Sequence, residues 1–408
     1  MNFEFTDEQR AFRDEFREWL ETTLPSGWIH GDWNLPEEKA ERIEFLIDWQ
    51  KTKYEDGWAA PSWPEEYGGM GASVVEELIY DDELARVNAP PNINGIGEQF
   101  VGPTLIELGT DAQKERFIPE ILNCEEIWCQ GYSEPEHGSD IAGLETVAEL
   151  DGDEWVINGQ KIWTSYGDIA DWCLLMARTD SSGTKHEGIT ALIVDMNQEG
   201  VDVDEINQIS GDSEFSQVFF DDARAPEAHV VGEVDEGWTV IRTMSAFEQT
   251  GSRAFDLQRR LNELLHFCRT TERGGRPLTD DPHVSRKLAE FDMRLQAARA
   301  TRYRQVSERL DDPVPSPEGV IDTITSNDLA VDLENFAMTL RGPDATLWED
   351  GPEDGRWVAD YFESYGMWIA GGTGDIYRNI IGEQVLGLPK DEKSKYTHRR
   401  ENADRDTE

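Results

Sequence analysis

Apolar residues recur every three to four positions through the opening stretch "TDEQRAFRDEFREWLETTL", where Phe12, Phe16 and Leu20 share one helical face. Thr6 followed three residues later by Gln9 is a capping-box pattern that starts the helix. The rhythm repeats in "EEKAERIEFLIDWQKTKYEDG" and stops at Gly57. After the turn-rich "GWAAPSWPEEYGGMGAS" it resumes in "VVEELIYDDELARVN". "DAQKERFIPEIL" predicts a short helix interrupted at Pro119.

From about Glu126 the period changes to two. "DEWVINGQKIWT" carries Asn158-Gly159 between short alternating runs and predicts a hairpin turn at that pair. "DWCLLMART", "GITALIVDM" and "FSQVFFDDARAP" predict strands separated by polar turns. Helical periodicity returns near Gly237 and runs through two long segments, the loop "DDPVPSPEGV" and a last helical pair. The pattern predicts an α+β multidomain chain: a helical domain over 1–125, a β domain over 126–236, a helical domain over 237–390 and a charged tail over 391–408.

Composition narrows the class. The 408 residues carry 85 acids against 37 bases, a net charge of -48, with 38% hydrophobic residues and 14 Trp for the cores. So much surface charge keeps a protein dispersed by repulsion and fits a salt-rich cytoplasm, where screening acts over a few ångströms. It disfavours nucleic acid as a partner. The four cysteines form no CxxC pair and are read as reduced thiols. The start lacks the basic and apolar regions of a signal peptide, and no apolar run is long enough to span a bilayer. The chain reads as soluble and cytoplasmic.

Candidate chemistry is sparse. "WCQGYSEPEHGSDIAGLET" (residues 128–146) has the composition of a loop that brings hydroxyl and backbone donors to a ligand, or equally of a domain linker. Trp163 in "QKIWTS" faces either core or ligand. The seven His residues show no HxxxH or HExxH spacing, so no metal is implied, and His137 reads as a solvated loop residue. "GGTGD" (residues 371–375) lacks the strand-turn-helix setting of a dinucleotide fingerprint. Glu248 in "TMSAFEQTGSRAF" lies within a helical turn of Met244, Phe247 and Gly251. It is either a solvated helix residue or a base whose pKa an apolar setting raises.

In this order and spacing, "GWAAPSWPEEYGGMG", "QGYSEPEHGSD", "INGQKIWTS", "VFFDDARAP", "GEVDEGWTVI" and "IYRNIIGEQVLGLP" resemble the acyl-CoA dehydrogenase family over nearly the whole chain. The resemblance implies an N-terminal helical domain, a middle β-barrel domain and a C-terminal four-helix bundle, with FAD between the last two. Carried over by position, Gln130, Tyr132 and Ser133 line the flavin ring, Trp163 and Ser165 cover its other side, and Ser139 meets the flavin phosphates or the acyl-CoA. Thr373 and Asp375, with the glycine backbone, contact the adenosine and pyrophosphate of FAD. Gly371 stands where many members carry the catalytic Glu. Glu248 matches the base that a minority place on a helix of the C-terminal bundle, with Phe247 and Gly371 beside the substrate.

The implied reaction is α,β-dehydrogenation of an acyl-CoA to a trans-2-enoyl-CoA, as in fatty-acid metabolism, with electrons passed to an electron-transfer flavoprotein. The pattern is similar to members acting on branched, dicarboxylic or steroid side-chain thioesters. The assembly implied is a homo- or heterotetramer or a dimer. Two positions depart from the family: Gln249 follows the base where Arg is usual, and Thr271 replaces an Arg that reaches the neighbouring subunit's FAD, with Arg269 and Arg273 nearby. These departures keep two alternatives open: a non-catalytic partner subunit of a heteromeric enzyme, and a flavin oxidase on the same fold.

Overall fold

The computed structural model describes residues 5–30, 35–248, 254–310, 317–348 and 355–389. Gln249, Gly251, the side chain of Glu248, most of the "DDPVPSPEGV" loop and the 391–408 tail lie outside the described residues.

Five helices come first: α1 (Asp7–Thr23), α2 (Lys39–Glu55), α3 (Val74–Arg86), α4 (Gly102–Leu108) and α5 (Asp111–Leu122). The capping box at Thr6 forms as expected. Its hydroxyl accepts the Gln9 amide at 3.2 Å, and the Gln9 side chain accepts the Thr6 amide at 2.9 Å. Phe16 and Leu20 are completely buried, Phe16 stacking on Tyr80 of α3 with ring centroids 4.4 Å apart. α5 runs unbroken through Pro119, contrary to the interruption expected there. Proline removes one helical hydrogen bond, but the buried Phe117, Ile118, Ile121 and Leu122 clamp both flanks.

The middle segment is one eight-stranded sheet: β1 (Trp128–Gly131), β2 (Val147–Asp151), β3 (Glu154–Ser165), β4 (Trp172–Arg178), β5 (Ile189–Asp195), β6 (Val201–Ile206), β7 (Phe215–Pro226) and β8 (Val230–Val231). Its order is β6-β7-β3-β2-β4-β5-β8, with β1 parallel to β4. The β4 and β5 segments read as continuous apolar runs because both faces are buried. Leu174, Met176, Ala191 and Ile193 face α4–α6, whereas Leu175, Ala177, Leu192 and Val194 form the core on the opposite face.

The hairpin turn is not at Asn158-Gly159. β2 and β3 are joined at Gly152-Asp153, and Asn158-Gly159 lies inside β3 at a register shift against β7. Asn158 exchanges two hydrogen bonds with Asp222 across that bulge, at 3.0 and 3.1 Å. Gly159 (φ 149°) passes so close to Thr146 that a Cβ would sit 2.7 Å from its Cα. The dipeptide's freedom serves a bulge because strands flank it on both sides.

The remainder is helical: α6 (Gly237–Glu248), α7 (Ala254–Thr270), a short hairpin of β9 (Glu272–Arg273) and β10 (Arg276–Pro277), α8 (Pro282–Arg309), α9 (Val320–Arg341), α10 (Arg356–Ile369) and α11 (Gly374–Ile380). α7–α10 pack into a bundle around Leu261, Leu264, Phe291, Leu295, Leu333 and Trp357. α6 stands apart from it, packed on the sheet side of the chain. All four cysteines are buried and free. Among the described residues no helix is long and apolar enough to cross a membrane.

Candidate functional site

The ends of β1 and β3 bring together the five residues expected to line the flavin ring: Gln130, Tyr132, Ser133, Trp163 and Ser165. The Ile162 amide donates to the Ser133 carbonyl at 2.9 Å, setting the end of β1 beside the end of β3. Gln130, Tyr132 and Ser133 are half-buried there, as is Ser165. A second register shift between Lys161 and Thr164 turns Trp163 outward, 56% exposed. Trp163 has φ 61°, a left-handed conformation that a bulky side chain rarely adopts. Its ring meets Phe215 edge-on at 6.0 Å and otherwise faces out. A large aromatic held open on strained backbone, beside amide and hydroxyl groups, is a surface shaped for a planar ligand.

α6 completes one side. The Tyr132 hydroxyl donates to the Met244 sulfur at 2.9 Å, which sets the last turn of α6 against β1. Glu248 is the last residue of that helix, four positions after Met244, and Phe247 beside it is half-buried.

The glycine cluster has a structural explanation of its own. Thr373 is the N-cap of α11, its hydroxyl accepting the Ile376 amide at 3.3 Å. Gly371 and Gly372 carry φ 72° and 132°, and the Tyr377 hydroxyl donates to the Gly371 carbonyl at 2.7 Å. Asp328 on α9 holds both flanks of this turn, accepting from Trp368 Nε1 at 2.9 Å and Arg378 at 3.2 Å. Asp375 is exposed and lies 3.5 Å from Arg378 of its own helix. Gly371, Thr373 and Asp375 therefore stand on the bundle, where the hydrogen bonds of Gly371 and Thr373 hold the α10–α11 turn and Asp375 pairs within α11. They are not bonded to the β1–β3 residues.

Ser139 is exposed in the loop between β1 and β2. His137 is packed on Gly143, where a Cβ would meet its ring at 2.5 Å, and it lies 3.6 Å from Glu145. Thr271 starts the β9–β10 hairpin, and the nearby Arg273 donates to the Leu340 carbonyl of its own chain at 2.9 Å.

Two charged residues escaped the sequence reading. Lys161 and Glu134 form a buried ion pair at 2.8 Å, their side chains 0% and 5% exposed. Burial by itself would raise the Glu134 carboxyl, but Lys161 and the donated N–H groups of Glu145 and Thr146 outweigh it and hold it below its ordinary value. Burial lowers the Lys161 ammonium. The signal was present in the strand pattern, since Lys161 has the inward parity of Trp155 and Ile157. Breaking such a pair costs about 3–5 kcal/mol.

A cleft of about 740 Å³ lies elsewhere, between α1 and α3 on one side and α7, α8 and α10 on the other. None of the predicted site residues lines it. Its arginines are already committed: Glu83 holds Arg17 and Arg86, and Glu263 holds Arg259 and Arg356.

Comparison with known proteins agrees with this architecture. Residues 6–125 match the N-terminal domain of acyl-CoA dehydrogenases, 129–223 the middle domain and 235–386 the C-terminal domain. The acyl-CoA dehydrogenase IpdE1 of Mycolicibacterium smegmatis is 38% identical over 402 residues, covering 95% of this chain and 99% of that protein. The crystal structure of the ChsE4-ChsE5 complex from Mycobacterium tuberculosis contains a chain 31% identical, with TM-score 0.82, covering 96% of this chain and 100% of that one. A further solved structure, the Tcur3481-Tcur3483 steroid ACAD, is 26% identical with TM-score 0.83, covering 96% and 100%. With its three segments matched in order and a relative of this identity along nearly its full length, the chain belongs to the acyl-CoA dehydrogenase family of oxidoreductases.

Proposed function

We propose that this chain removes hydrogen from the α and β carbons of an acyl-CoA thioester, with Glu248 as the base and FAD against the β1–β3 surface. FAD is the cofactor of the family. The residues here fit its ring: Trp163 offers an exposed aromatic face, and Gln130, Tyr132, Ser133 and Ser165 offer neutral donors and acceptors for the ring's polar edge. When bound, FAD supplies the acceptor for the hydride that leaves the β-carbon.

The protein's share is orientation and proton removal. A thioester α-proton is weakly acidic, so the site must polarise the carbonyl through hydrogen bonds as the base withdraws the proton. The observation that carries the assignment is the Tyr132–Met244 contact. It places the turn of α6 that ends in Glu248 against the strand carrying the proposed ring contacts. The alternative position, Gly371, has no side chain to accept a proton. Anaerobic titration of the flavin absorbance with a panel of acyl-CoA thioesters, in wild type and Glu248→Gln, tests the reading. Bleaching by wild type alone supports it; equal bleaching by both removes Glu248.

The product is then a trans-2-enoyl-CoA, and the electrons pass to an electron-transfer flavoprotein. Two of the similar solved structures are named as a complex or a steroid ACAD. A bulky polycyclic acyl group and a heteromeric assembly are therefore the first substrate and partner to try. The second reading is a partner subunit without turnover, favoured by Gly371 and by Thr271 in place of the arginine expected at the neighbouring FAD. A flavin that no thioester bleaches, in a protein that restores activity to a homologous subunit, establishes that reading instead. Peroxide formation with oxygen as acceptor identifies an oxidase.

A further inference from the structure

We propose that Glu134 and Lys161 are positioning residues for the flavin, locking together the two strands that carry the proposed ring contacts and closing the loop that carries Ser139. The inference rests on the FAD reading above and adds two residues that touch neither cofactor nor substrate.

Lys161 Nζ donates to Glu134 Oε1 at 2.8 Å and to the Tyr132 carbonyl at 3.2 Å. The side chain of Lys161, two residues ahead of Trp163 on β3, thereby fixes the backbone of Tyr132. The Glu134 carboxylate also accepts the amides of Glu145 at 2.6 Å and Thr146 at 2.9 Å. One carboxylate thus joins the two ends of the segment from Glu134 to Thr146, which includes Ser139. Glu134 and His137 exchange backbone hydrogen bonds at 3.0 Å, tightening the first turn of the same loop.

The chemistry of the pair argues against a purely structural part. Apolar residues of similar volume generally stabilise a core as well as a buried ion pair does, and Trp155 and Ile157 occupy the same face of β3. What the ion pair adds is direction. A desolvated carboxylate holding one ammonium and two amides has few alternative geometries, because each donor it lost would remain buried and unsatisfied. The stiffness is placed under Tyr132 and Ser133, behind the exposed Trp163 rather than in the sheet's distant edge.

The test uses Glu134→Gln and the double variant Glu134→Gln/Lys161→Met. The double variant removes both charges at once and so leaves no uncompensated charge to unfold the domain. Three quantities are measured in the full chain: the thermal melt, amide exchange of residues 135–146 without cofactor, and the Kd for FAD by titration. The expected result for the double variant is a melt close to wild type, loop exchange faster by about tenfold, and FAD affinity weaker by about tenfold. Wild-type FAD affinity in the double variant overturns the proposal, and so does unchanged loop exchange. A wild type that takes up no FAD overturns the flavin reading itself, and the exchange measurement then still decides whether the pair closes the loop.

Discussion

The hydroxyl of Tyr132 lies 2.9 Å from the sulfur of Met244, joining the last turn of α6 to the residue that follows β1. These residues are 112 positions apart, and their contact turns a strand end and a helix end into one surface. Trp163 opens onto the neighbouring strand end, so a ligand on this surface meets an aromatic plane, neutral donors and the helix that ends in Glu248.

Glu248→Gln is expected to lower turnover by about 10²–10⁴-fold, the usual contribution of a positioned general base, with FAD binding unchanged. Rapid-mixing measurement of flavin bleaching by the best thioester checks this. A loss below about tenfold would assign the proton transfer to another group.

Trp163→Gly is expected to separate stability from binding. The backbone at φ 61° suits glycine and strains tryptophan by about 1–3 kcal/mol, and the indole is mostly exposed, so little packing is lost. The variant without cofactor should melt no lower than wild type while its FAD affinity falls. A lower melt with FAD affinity retained would make Trp163 a structural residue.

Asp328→Ala should loosen the glycine turn, because one carboxylate secures both Trp368 before it and Arg378 after it. Two hydrogen bonds to a partly exposed carboxylate are together worth about 1–3 kcal/mol. Hydrogen exchange over residues 370–377 should speed up while the β domain stays protected. Uniform acceleration across the chain would indicate general destabilisation instead.

A pH dependence follows from Asp81 on α3, where that helix packs against α7 and α8. Burial, with Glu77 adding repulsion and Arg302 opposing both, pushes its carboxyl up to about 7. The folded protein then holds a proton that the unfolded chain releases near pH 4, so this group makes stability fall as pH rises from about 4 to 7. Asp81→Asn should flatten that slope and raise the melt above pH 7. Denaturant titrations at pH 5, 6 and 7 measure it.

Salt should stabilise the whole chain. With a net charge of -48, self-repulsion acts over about 10 Å at 0.1 M salt and about 3 Å at 1 M. A melt that rises steadily with KCl fits the salt-rich setting read from composition, and a flat or falling one contradicts it.

The sequence by itself determined the order of helical and β segments, the capping box at Thr6, the continuous apolar runs of β4 and β5, and the strand that carries Trp163. Each depends on neighbours within a few residues or on a simple period, which a linear pattern preserves. It misplaced the turn at Asn158-Gly159 and the break at Pro119, because local preference there yields to pairing with β7 and to burial of the α5 flanks. It identified Glu134 and Lys161 only as letters in two motifs. Their partnership is a fact of tertiary structure: the chain must return through β2 and β3 before the carboxylate and the ammonium meet in a site that excludes water, where the charges bind each other firmly enough to fix a loop.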